Sequence, residues 1–520
     1  MKKYFYIIIP LLMACNKDFL DRNPLDKPSN ESFWNTAADA TAALNGCYDG
    51  WSNVNDVIYF DCASDNAFNP YPWEGWQVQA TGAATPTDYG SDFFTFTTIN
   101  RCNNFLENVD RTQMDEKLKN RMKAEARFIR AWDYFRKVTL YGDVPLITKV
   151  LEVSDANFAR NKKEEVMNFV ISELNEISKI LPPKYDAADV GRATKGAALA
   201  VKARMELFSG KFAESSKTSQ EVMTLGYDLM TKYNEIFLPQ NENNVEVILD
   251  VQYEESSYRN EALGVMPPAS SGGWSSINPT QALVDDYECL DGKTIQESAL
   301  YNPKEPYKNR DPRLDVTIIY PGALYNNSYL NSIDPADPNG DYYAPYGRSK
   351  TGYYPKKYIE SPSLYQDIWA TGMNAIVIRY AEILLMYAES KIELNQIDES
   401  VYSAINKVRK RAGMPDVNKS IYNNQSKLRE LIRRERRVEL AMEGIRWFDV
   451  VRWKIGDQVM KGKVMGALLG KVDAKNGALT LGTERIFVEN RNFDPGKNYL
   501  WPIPQKAIDA TPAIVQNPNY

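Results

Sequence analysis

Two apolar stripes near the C-terminal end constrain the fold of this chain most. The first lies at offsets 0, 3, 4, 7 and 11, the spacing of one helix face: Ala381, Leu384, Leu385, Ala388 and Ile392. The second has the same offsets: Val401, Ala404, Ile405, Val408 and Ala412. Asn395 and Gln396 separate the stripes, and Gly413 with Pro415 ends the second helix. The pattern predicts a helical hairpin whose uncovered apolar surface requires further stacked helices.

Similar helical patterns occur earlier in the chain. They predict helices over residues 39–51, 116–140, 162–181, 194–209 and 212–225. Residues 52–98 and 245–374 are instead rich in Gly, Pro, Asn and Ser, and only short strands are expected there. A small mixed segment follows Trp453. We therefore predict a mainly α-helical protein, with a tetratricopeptide-like hairpin scaffold and a long loop-rich insertion that contains short strands.

Charge and composition exclude several classes of function. The 520 residues include 62 basic and 68 acidic side chains, a net charge of −6, and no long basic block, so nucleic acid is not expected as the main partner. The chain has no histidine, which excludes Ser-His and Cys-His nucleophile systems. Asp285, Asp286 and Glu288 could include a glycosidase pair, but so acidic a chain contains close carboxylates by chance. We expect a protein that is not an enzyme.

The N-terminus has the pattern of an exported lipoprotein. Lys2 and Lys3 precede a short apolar run, and a small residue, Ala14, stands directly before Cys15. We predict a signal peptide over 1–14, lipidation at Cys15, a tether over 15–35 and a single domain over 36–520. An ordinary secretory leader with a chance cysteine is the alternative. No other apolar run approaches the roughly 20 residues of a spanning helix, so the lipid would be the only membrane attachment.

Three further features carry no clear chemistry. The remaining cysteines are dispersed, which disfavours a zinc site and leaves their disulfide state open: Cys47, Cys62, Cys102 and Cys289. The acidic run at 334–341 offers oxygen ligands for calcium but departs from the EF-hand pattern, so we interpret it as a turn and expect no cofactor, with a structural calcium ion as the alternative. The run of arginines at 433–437 is interpreted as a solvated face of paired charges.

Several phrases in order along the chain resemble the SusD/RagB family of outer-membrane lipoproteins. They include DFLD after Cys15, EARFIRAWDYFRKVTLYGDVP at 125–145, NRDPRL at 309–314, RYAEILLMYAE at 379–389 and RRERRVELAMEGIRWFDVVRW at 433–453. Shorter matches are DATAALNGCY at 39–48, DGK at 291–293, YLWPIP at 499–504 and QNP at 516–518. The chain departs from the family only at Asn519, where members usually have glycine.

The resemblance implies a SusD-like fold of four tetratricopeptide-like helix pairs that packs on a SusC-like TonB-dependent transporter. Such proteins bind a nutrient, often an oligosaccharide, at the cell surface of the outer membrane and pass it inward. Two alternatives differ from this expectation. The cargo could be a peptide or another nutrient, or the chain could be a helical-repeat adaptor without a small ligand.

Aromatic side chains in irregular segments are the candidate ligand-binding residues. A sugar ring presents C–H groups that stack on an exposed indole or phenol, while polar side chains bond its hydroxyls. Trp132, Trp447, Trp453 and Trp501 lie in periodic or compact segments and are expected in the core, and Trp34 and Trp51 are expected to be structural. Four tryptophans lie among turn-forming residues instead: Trp73, Trp76, Trp274 and Trp369. Additional candidates are Tyr71, Tyr342, Tyr343, Tyr346, Asn66, Asn69 and Asp88.

Overall fold

The computed structural model describes residues 33–88, 91–151, 157–342 and 348–520. The predicted leader, Cys15 and most of the tether lie outside these ranges, as do Tyr343 and Tyr346. Helices account for 43% of the chain and strands for 12%, which confirms the mainly α-helical prediction. Within the described ranges, no helix is both long and apolar enough to cross a membrane.

The helical framework consists of long elements joined by short turns. The described residues form ten helices of eight residues or more: α1 Ala37–Tyr48, α2 Thr97–Asn108, α3 Glu116–Tyr141, α4 Lys163–Ile177, α5 Lys195–Phe208, α6 Phe212–Met223, α7 Tyr380–Glu393, α8 Glu399–Arg411, α9 Gln425–Glu439 and α10 Arg446–Trp453.

Local capping fixes where these helices begin and end. Thr36 and Asp39 form a capping box at the start of α1. The Thr36 hydroxyl accepts a hydrogen bond from the Asp39 amide, and the Asp39 carboxylate accepts one from the Thr36 amide. The Asp115 carboxylate accepts from the Leu118 amide at the start of α3. Helix α3 ends at Gly142, whose φ of 74° few other residues adopt readily. These signals lie within two residues of the boundaries predicted for α3.

Each of the first seven helices packs against the next one along the chain, from α1 on α2 to α7 on α8. This order gives four consecutive helix pairs, the arrangement that the apolar stripes require. The two predicted stripes are buried throughout, and α7 is enclosed on nearly all sides because it also packs on α9. The tryptophans expected in the core, Trp132, Trp447, Trp453 and Trp501, are all buried, as are Trp34 and Trp51.

The long insertion lies between α6 and α7. Two strands connect its ends to the scaffold: β1 Val247–Val251 and β2 Ala375–Arg379. They pair antiparallel, with Val247 opposite Arg379 and Val251 opposite Ala375. Because β2 leads directly into α7, the insertion begins and ends at the same place on the scaffold. Most of the insertion consists of turns, two-residue strands and short helices, as predicted.

The segment after Trp453 combines strands with short helices, Gly456–Val459 and Gln505–Ala510, in agreement with the mixed structure expected there. It contains a long antiparallel hairpin, β3 Lys461–Val472 and β4 Leu479–Asn492, with three register irregularities. Residues 52–88 differ from the predicted long loop, because short helices occupy much of them and 57–69 are buried. Cys47, Cys62, Cys102 and Cys289 are all buried and free.

Buried ion pairs connect the insertion to the C-terminal helices. Glu439 at the end of α9 accepts hydrogen bonds from Arg313 at 2.9 Å, from Arg379 at 2.6 Å and from Arg411. Arg379 also donates to Glu246 at 2.7 Å and to Glu443 at 2.7 Å. These residues are all buried, and their attraction outweighs burial and lowers the pKa of Glu439.

The interpretation of 433–437 as a solvated face is therefore wrong. Glu435 lies between Arg313 and Arg409, Arg436 pairs with Asp449, and Arg437 pairs with Asp65. The charged side chains of Glu435, Arg436 and Arg437 are buried, and two of their partners, Arg313 and Asp65, come from segments more than a hundred residues away.

We predict that Glu439→Gln destabilises the protein strongly. The substitution leaves three buried arginines with less negative charge, and breaking a buried pair in this way costs about 3–5 kcal/mol. Urea denaturation followed by circular dichroism measures the change. Glu430→Gln is the matched control on the same helix, since Glu430 pairs with Lys427 where both side chains are at least half exposed, and it should change the unfolding curve little. A Glu439→Gln protein as stable as the wild type would contradict the assigned role of the network.

Candidate ligand-binding site

Three exposed tryptophans lie together on one surface of the loop-rich part. The exposed fractions are 59% for Trp73, 49% for Trp274 and 36% for Trp369. Trp274 and Trp369 meet edge to face, with ring centroids 5.2 Å apart and planes at 79°. Soluble proteins rarely expose large apolar side chains in a group unless the group binds something. We call these three residues the aromatic platform.

Tyr71 is a buried residue that contacts two tryptophans of the platform, Trp73 and Trp274. Its ring stacks on Trp73 at a centroid distance of 4.9 Å and meets Trp274 edge to face at 6.3 Å. Its hydroxyl donates to the Trp274 carbonyl oxygen at 2.6 Å. Because Tyr71 is buried, it positions the platform and exposes little of its own ring.

Trp369 depends on a glycine for its place. A Cβ atom on Gly264 would lie 2.4 Å from the Trp369 ring, so only glycine lets the indole pack this closely. The Gly264 carbonyl oxygen also accepts from the Trp274 amide at 2.9 Å. One backbone position therefore fixes two of the three platform residues.

A cavity of about 460 Å³ opens beside the aromatic platform. Its walls include all three platform tryptophans. Polar and charged residues from five other stretches of the chain also line it: Asn53, Asn55, Asp56, Glu74, Thr95, Thr98, Asp133, Arg136, Lys137 and Glu261. Its size and its mixture of aromatic and polar groups suit a small-molecule segment. We call this space the platform cavity.

Another cavity, of about 480 Å³, lies between residues 183–194, the end of α6 and β1. It contains no tryptophan and lacks a group of exposed rings at its mouth. We assign the site to the platform cavity because size alone does not distinguish the two, whereas the exposed rings do.

The charged groups of the platform cavity fall into two sets. Arg136 pairs with Asp56, and Lys137 donates to Asp133 at 2.7 Å, so both cations are already compensated. Glu74 instead accepts hydrogen bonds from three neutral donors: Asn69 at 2.5 Å, Ser276 at 2.8 Å and Tyr59 at 3.3 Å. Burial raises the pKa of Glu74, although these hydrogen bonds act against it.

Not every predicted site residue reaches the surface. Trp76 is buried and packs between Tyr59 and Phe60, so it lines the cavity wall without belonging to the platform. Asn66 and Asn69 are fully buried and bond internally, to Asp61 and Arg437 in one case and to Glu74 and the Ser276 carbonyl in the other. The structure therefore places these two amides beneath the site, where they do not form its rim. Tyr343 lies outside the described residues.

The sequence interpretation missed the charged floor of the cavity. Asp133, Arg136 and Lys137 lie at offsets 0, 3 and 4 on α3, which places three charges on one face of the helix. That spacing is visible in the sequence and could have identified these three residues as a charged group. Glu74 and Glu261 gave no signal, since single carboxylates in loops are common.

Ion pairs and backbone pairing join the platform segment to the scaffold. Asp65 pairs with Arg437 and Arg446, each at 2.7 Å. Burial raises the pKa of Asp65, but the two arginines outweigh it and lower the pKa to about 2. Ala67 and Phe68 then pair with Pro279 and Asn278, just after the segment that carries Trp274.

Other candidate chemistry is absent or already used. Asp286 pairs with Arg437, and Glu288 pairs with Arg409 and Arg434. Asp337 in the acidic run accepts from Asn331, and Asp341 accepts from Ser270. In the described part of the chain, no group of three or more Asp, Glu or Cys side chains is arranged to hold a metal ion.

Comparison with known proteins gives one consistent family. The profile of the SusD family matches residues 237–520, and a profile described as starch-binding and associating with the outer membrane matches residues 18–207. SusD-like protein P2 of Formosa agariphila is 25% identical and aligns over 100% of this chain and 98% of its own length.

Solved structures agree with the sequence relatives. A SusD-like carbohydrate-binding protein from Bacteroides fragilis superimposes with a TM-score of 0.84 at 31% identity, covering 92% of this chain and 99% of that protein. A laminarin-binding SusD-like protein superimposes with a TM-score of 0.74 at 25% identity, covering 94% of this chain and 100% of that protein.

We predict that Gly264→Ala displaces Trp369 from the aromatic platform. The added methyl group cannot share the space of the indole, so the ring must turn outward. Acrylamide quenching of tryptophan fluorescence should increase. Gly46→Ala is the matched control, because Gly46 lies in α1 with no neighbouring atom within 4 Å of its added Cβ, and quenching should not change. Equal quenching in both variants would contradict the described packing.

We predict that Asp65→Asn weakens the protein in a pH-dependent way. The folded-state pKa of about 2, against an ordinary value of 3.8, corresponds to about 2 kcal/mol of stability. Because the folded pKa is depressed, this stabilisation is present above the ordinary pKa and is lost as the pH falls toward 2. The difference in unfolding free energy between wild type and variant should therefore be constant from pH 7 to 5 and shrink by pH 3. A difference that grows with acid would contradict the assignment.

Proposed function

The chain belongs to the SusD family, and we propose that it binds a nutrient glycan without cleaving it and passes it to a SusC-like TonB-dependent transporter. The observation that carries the proposal is the aromatic platform beside a polar cavity, in which Tyr71 contacts Trp73 and Trp274, and Trp274 contacts Trp369. This arrangement offers the two kinds of contact that a sugar chain needs, flat apolar surfaces and hydrogen-bonding groups.

The geometry favours a chain over a single small molecule. Trp73 and Trp274 lie on either side of Tyr71, while Trp369 extends the surface beyond Trp274 at an angle of 79°. Successive sugar rings in a curved chain change direction, so a bent row of indoles can contact more than one of them. Tyr71 and Gly264 fix the rings in advance, which reduces the ordering cost of binding.

The names of similar proteins support the cargo class. One structural neighbour binds laminarin, another is a carbohydrate-binding protein, and the profile that matches the N-terminal part is described as starch-binding. Association with the outer membrane is part of the same description. Attachment through a lipid on Cys15 and exposure at the cell surface belong to this proposal.

A binding role without catalysis agrees with the charges of the platform cavity. Catalytic glycosidase carboxylates act as an acid and a base or nucleophile on opposite sides of the bond. Here Asp56 and Asp133 are paired with cations, and Glu74 is occupied by three donors. The cavity therefore binds and orients a sugar chain rather than protonating its linkage.

We predict that Trp73→Ala and Trp274→Ala each weaken glycan binding at least tenfold, or about 1.4 kcal/mol. Each substitution removes a stacking surface that is already exposed, so the fold should remain intact. Isothermal titration against laminarin, starch and a panel of other soluble glycans measures the effect.

Phe487→Ala is the control, because Phe487 is an equally exposed ring on β4, is not among the residues that line the platform cavity and should not contribute to affinity. Unchanged affinity in the double variant Trp73→Ala/Trp274→Ala would contradict the site. Binding of peptides from a protein digest, with no glycan bound, would favour the peptide-carrying alternative.

A further inference from the structure

We propose that the platform cavity selects uncharged glycans and rejects those that carry carboxylate or sulfate groups, through the uncompensated charges of Glu74 and Glu261. This inference rests on the proposed function and adds the class of glycan that the site accepts.

The two carboxylates lie on the segments that carry the aromatic platform. Glu74 follows Trp73 directly, and its oxygen accepts from the hydroxyl of Ser276, two residues after Trp274. Glu261 lies three residues before Gly264, the position against which Trp369 packs. Both carboxylates line the platform cavity together with all three tryptophans. A sugar chain that enters the cavity from the aromatic platform therefore shares this space with both carboxylates.

Neither carboxylate is neutralised by a cation within the part of the chain that the structure describes. The three donors to Glu74 are an amide and two hydroxyl groups, all uncharged. Glu261 accepts from the Asn55 side-chain amide at 2.8 Å, which is also neutral. Burial raises the pKa of Glu74, and the nearby charge of Glu261 acts in the same direction.

The cations of the cavity do not offset these charges. The side chains of Arg136 and Lys137 are mostly buried and are paired with Asp56 and Asp133. Four carboxylates and two cations line the platform cavity, which gives it a formal charge of 2 − 4 = −2. An incoming anion is therefore repelled by two carboxylates, Glu74 and Glu261, that are not paired with a cation of the cavity.

Uncharged and anionic glycans interact differently with these two carboxylates. Sugar hydroxyls donate hydrogen bonds to carboxylates, so an uncharged chain gains contacts in this cavity. A uronate or sulfate group has no donor to offer in its charged form and is repelled by like charges across a partly desolvated space. Electrostatic complementarity of this kind contributes more to the specificity of binding than to the affinity for the accepted ligand.

The test compares each neutral polymer with its own oxidised form. Laminarin, starch and other neutral glycans are prepared with the primary C6 hydroxyl oxidised to a carboxylate, which preserves the linkage and chain length. We expect the oxidised form to bind at least tenfold more weakly at about 0.01 M ionic strength, where charges interact over roughly 30 Å. The difference should shrink at about 1 M salt, where the screening length is roughly 3 Å.

Substitution of the carboxylates assigns the effect to them. Glu261→Gln keeps an oxygen that can accept from Asn55 while removing the charge, and it should bring the affinity for the oxidised form at least threefold closer to that for the neutral form. Glu74→Gln should act in the same direction. Glu430→Gln removes one negative charge from an exposed position on α9 and should leave both affinities as they are in the wild type.

The outcomes separate this inference from the proposed function. Charge selection is overturned if neutral and oxidised polymers bind with equal affinity, or if the difference in affinity persists in both Gln variants. In either case, binding of the neutral polymer still supports the proposed function. Tight binding of a natural polyuronate or sulfated glycan without its neutral counterpart also overturns it. If no polymer of either class binds, the result contradicts both the proposed function and the inference of charge selection.

Discussion

Buried pairing between arginines and carboxylates is the interaction on which the rest of the structure depends. The insertion between α6 and α7 contains few regular elements, so it cannot maintain its shape through its own hydrogen-bond ladders. Arg313 of the insertion and Arg379 at its end instead pair with Glu439, the last residue of α9, and Arg379 also pairs with Glu443 just beyond it. Each charge is costly to bury alone, so the pairs are stable only when scaffold and insertion are in their correct relative positions. Such pairs specify a position more than they add net stability.

A continuous series of contacts runs from this charged layer to the aromatic platform. Arg437 of α9 contacts Asp65 and donates to the Asn66 side-chain oxygen at 2.9 Å. Thr280 donates through its amide to Asn66 and through its hydroxyl to Asp65, which joins the two loop segments that carry Trp73 and Trp274. The platform is thus built on loops, yet each loop is attached to a helix. A site of this kind needs rigid support, since poorly oriented rings lose the benefit of stacking.

The sequence predicted the scaffold well and the site only in part. The stripes of α7 and α8 follow helical periodicity, which depends on neighbouring residues alone. Both helices could therefore be predicted from the sequence. The contact between Tyr71 and Trp274 joins residues 203 positions apart, and no local pattern encodes it. Trp73 and Trp76 have similar neighbours in the sequence, yet Gly75, with a φ of 76°, reverses the chain between them, leaving one exposed and the other buried.

The charged residues show the same limit. The alternation of arginine and glutamate in α9 is compatible with a solvated face and with a buried network, and only the distant partners Arg313 and Asp65 decide between the two. The hairpin of β3 and β4 was missed because its three register irregularities interrupt the alternation that marks a strand. In each of these cases, the deciding interaction lies outside any window in which a sequence pattern can be recognised.

A crystal structure with a bound neutral oligosaccharide tests the central claim most directly. The oligosaccharide is taken from the polymer that binds most tightly in solution. We expect at least one sugar ring stacked on Trp73 or Trp274, with its hydroxyls directed into the platform cavity. A sugar chain bound in the cavity beside residues 183–194, with the three platform indoles uncovered, would contradict the account.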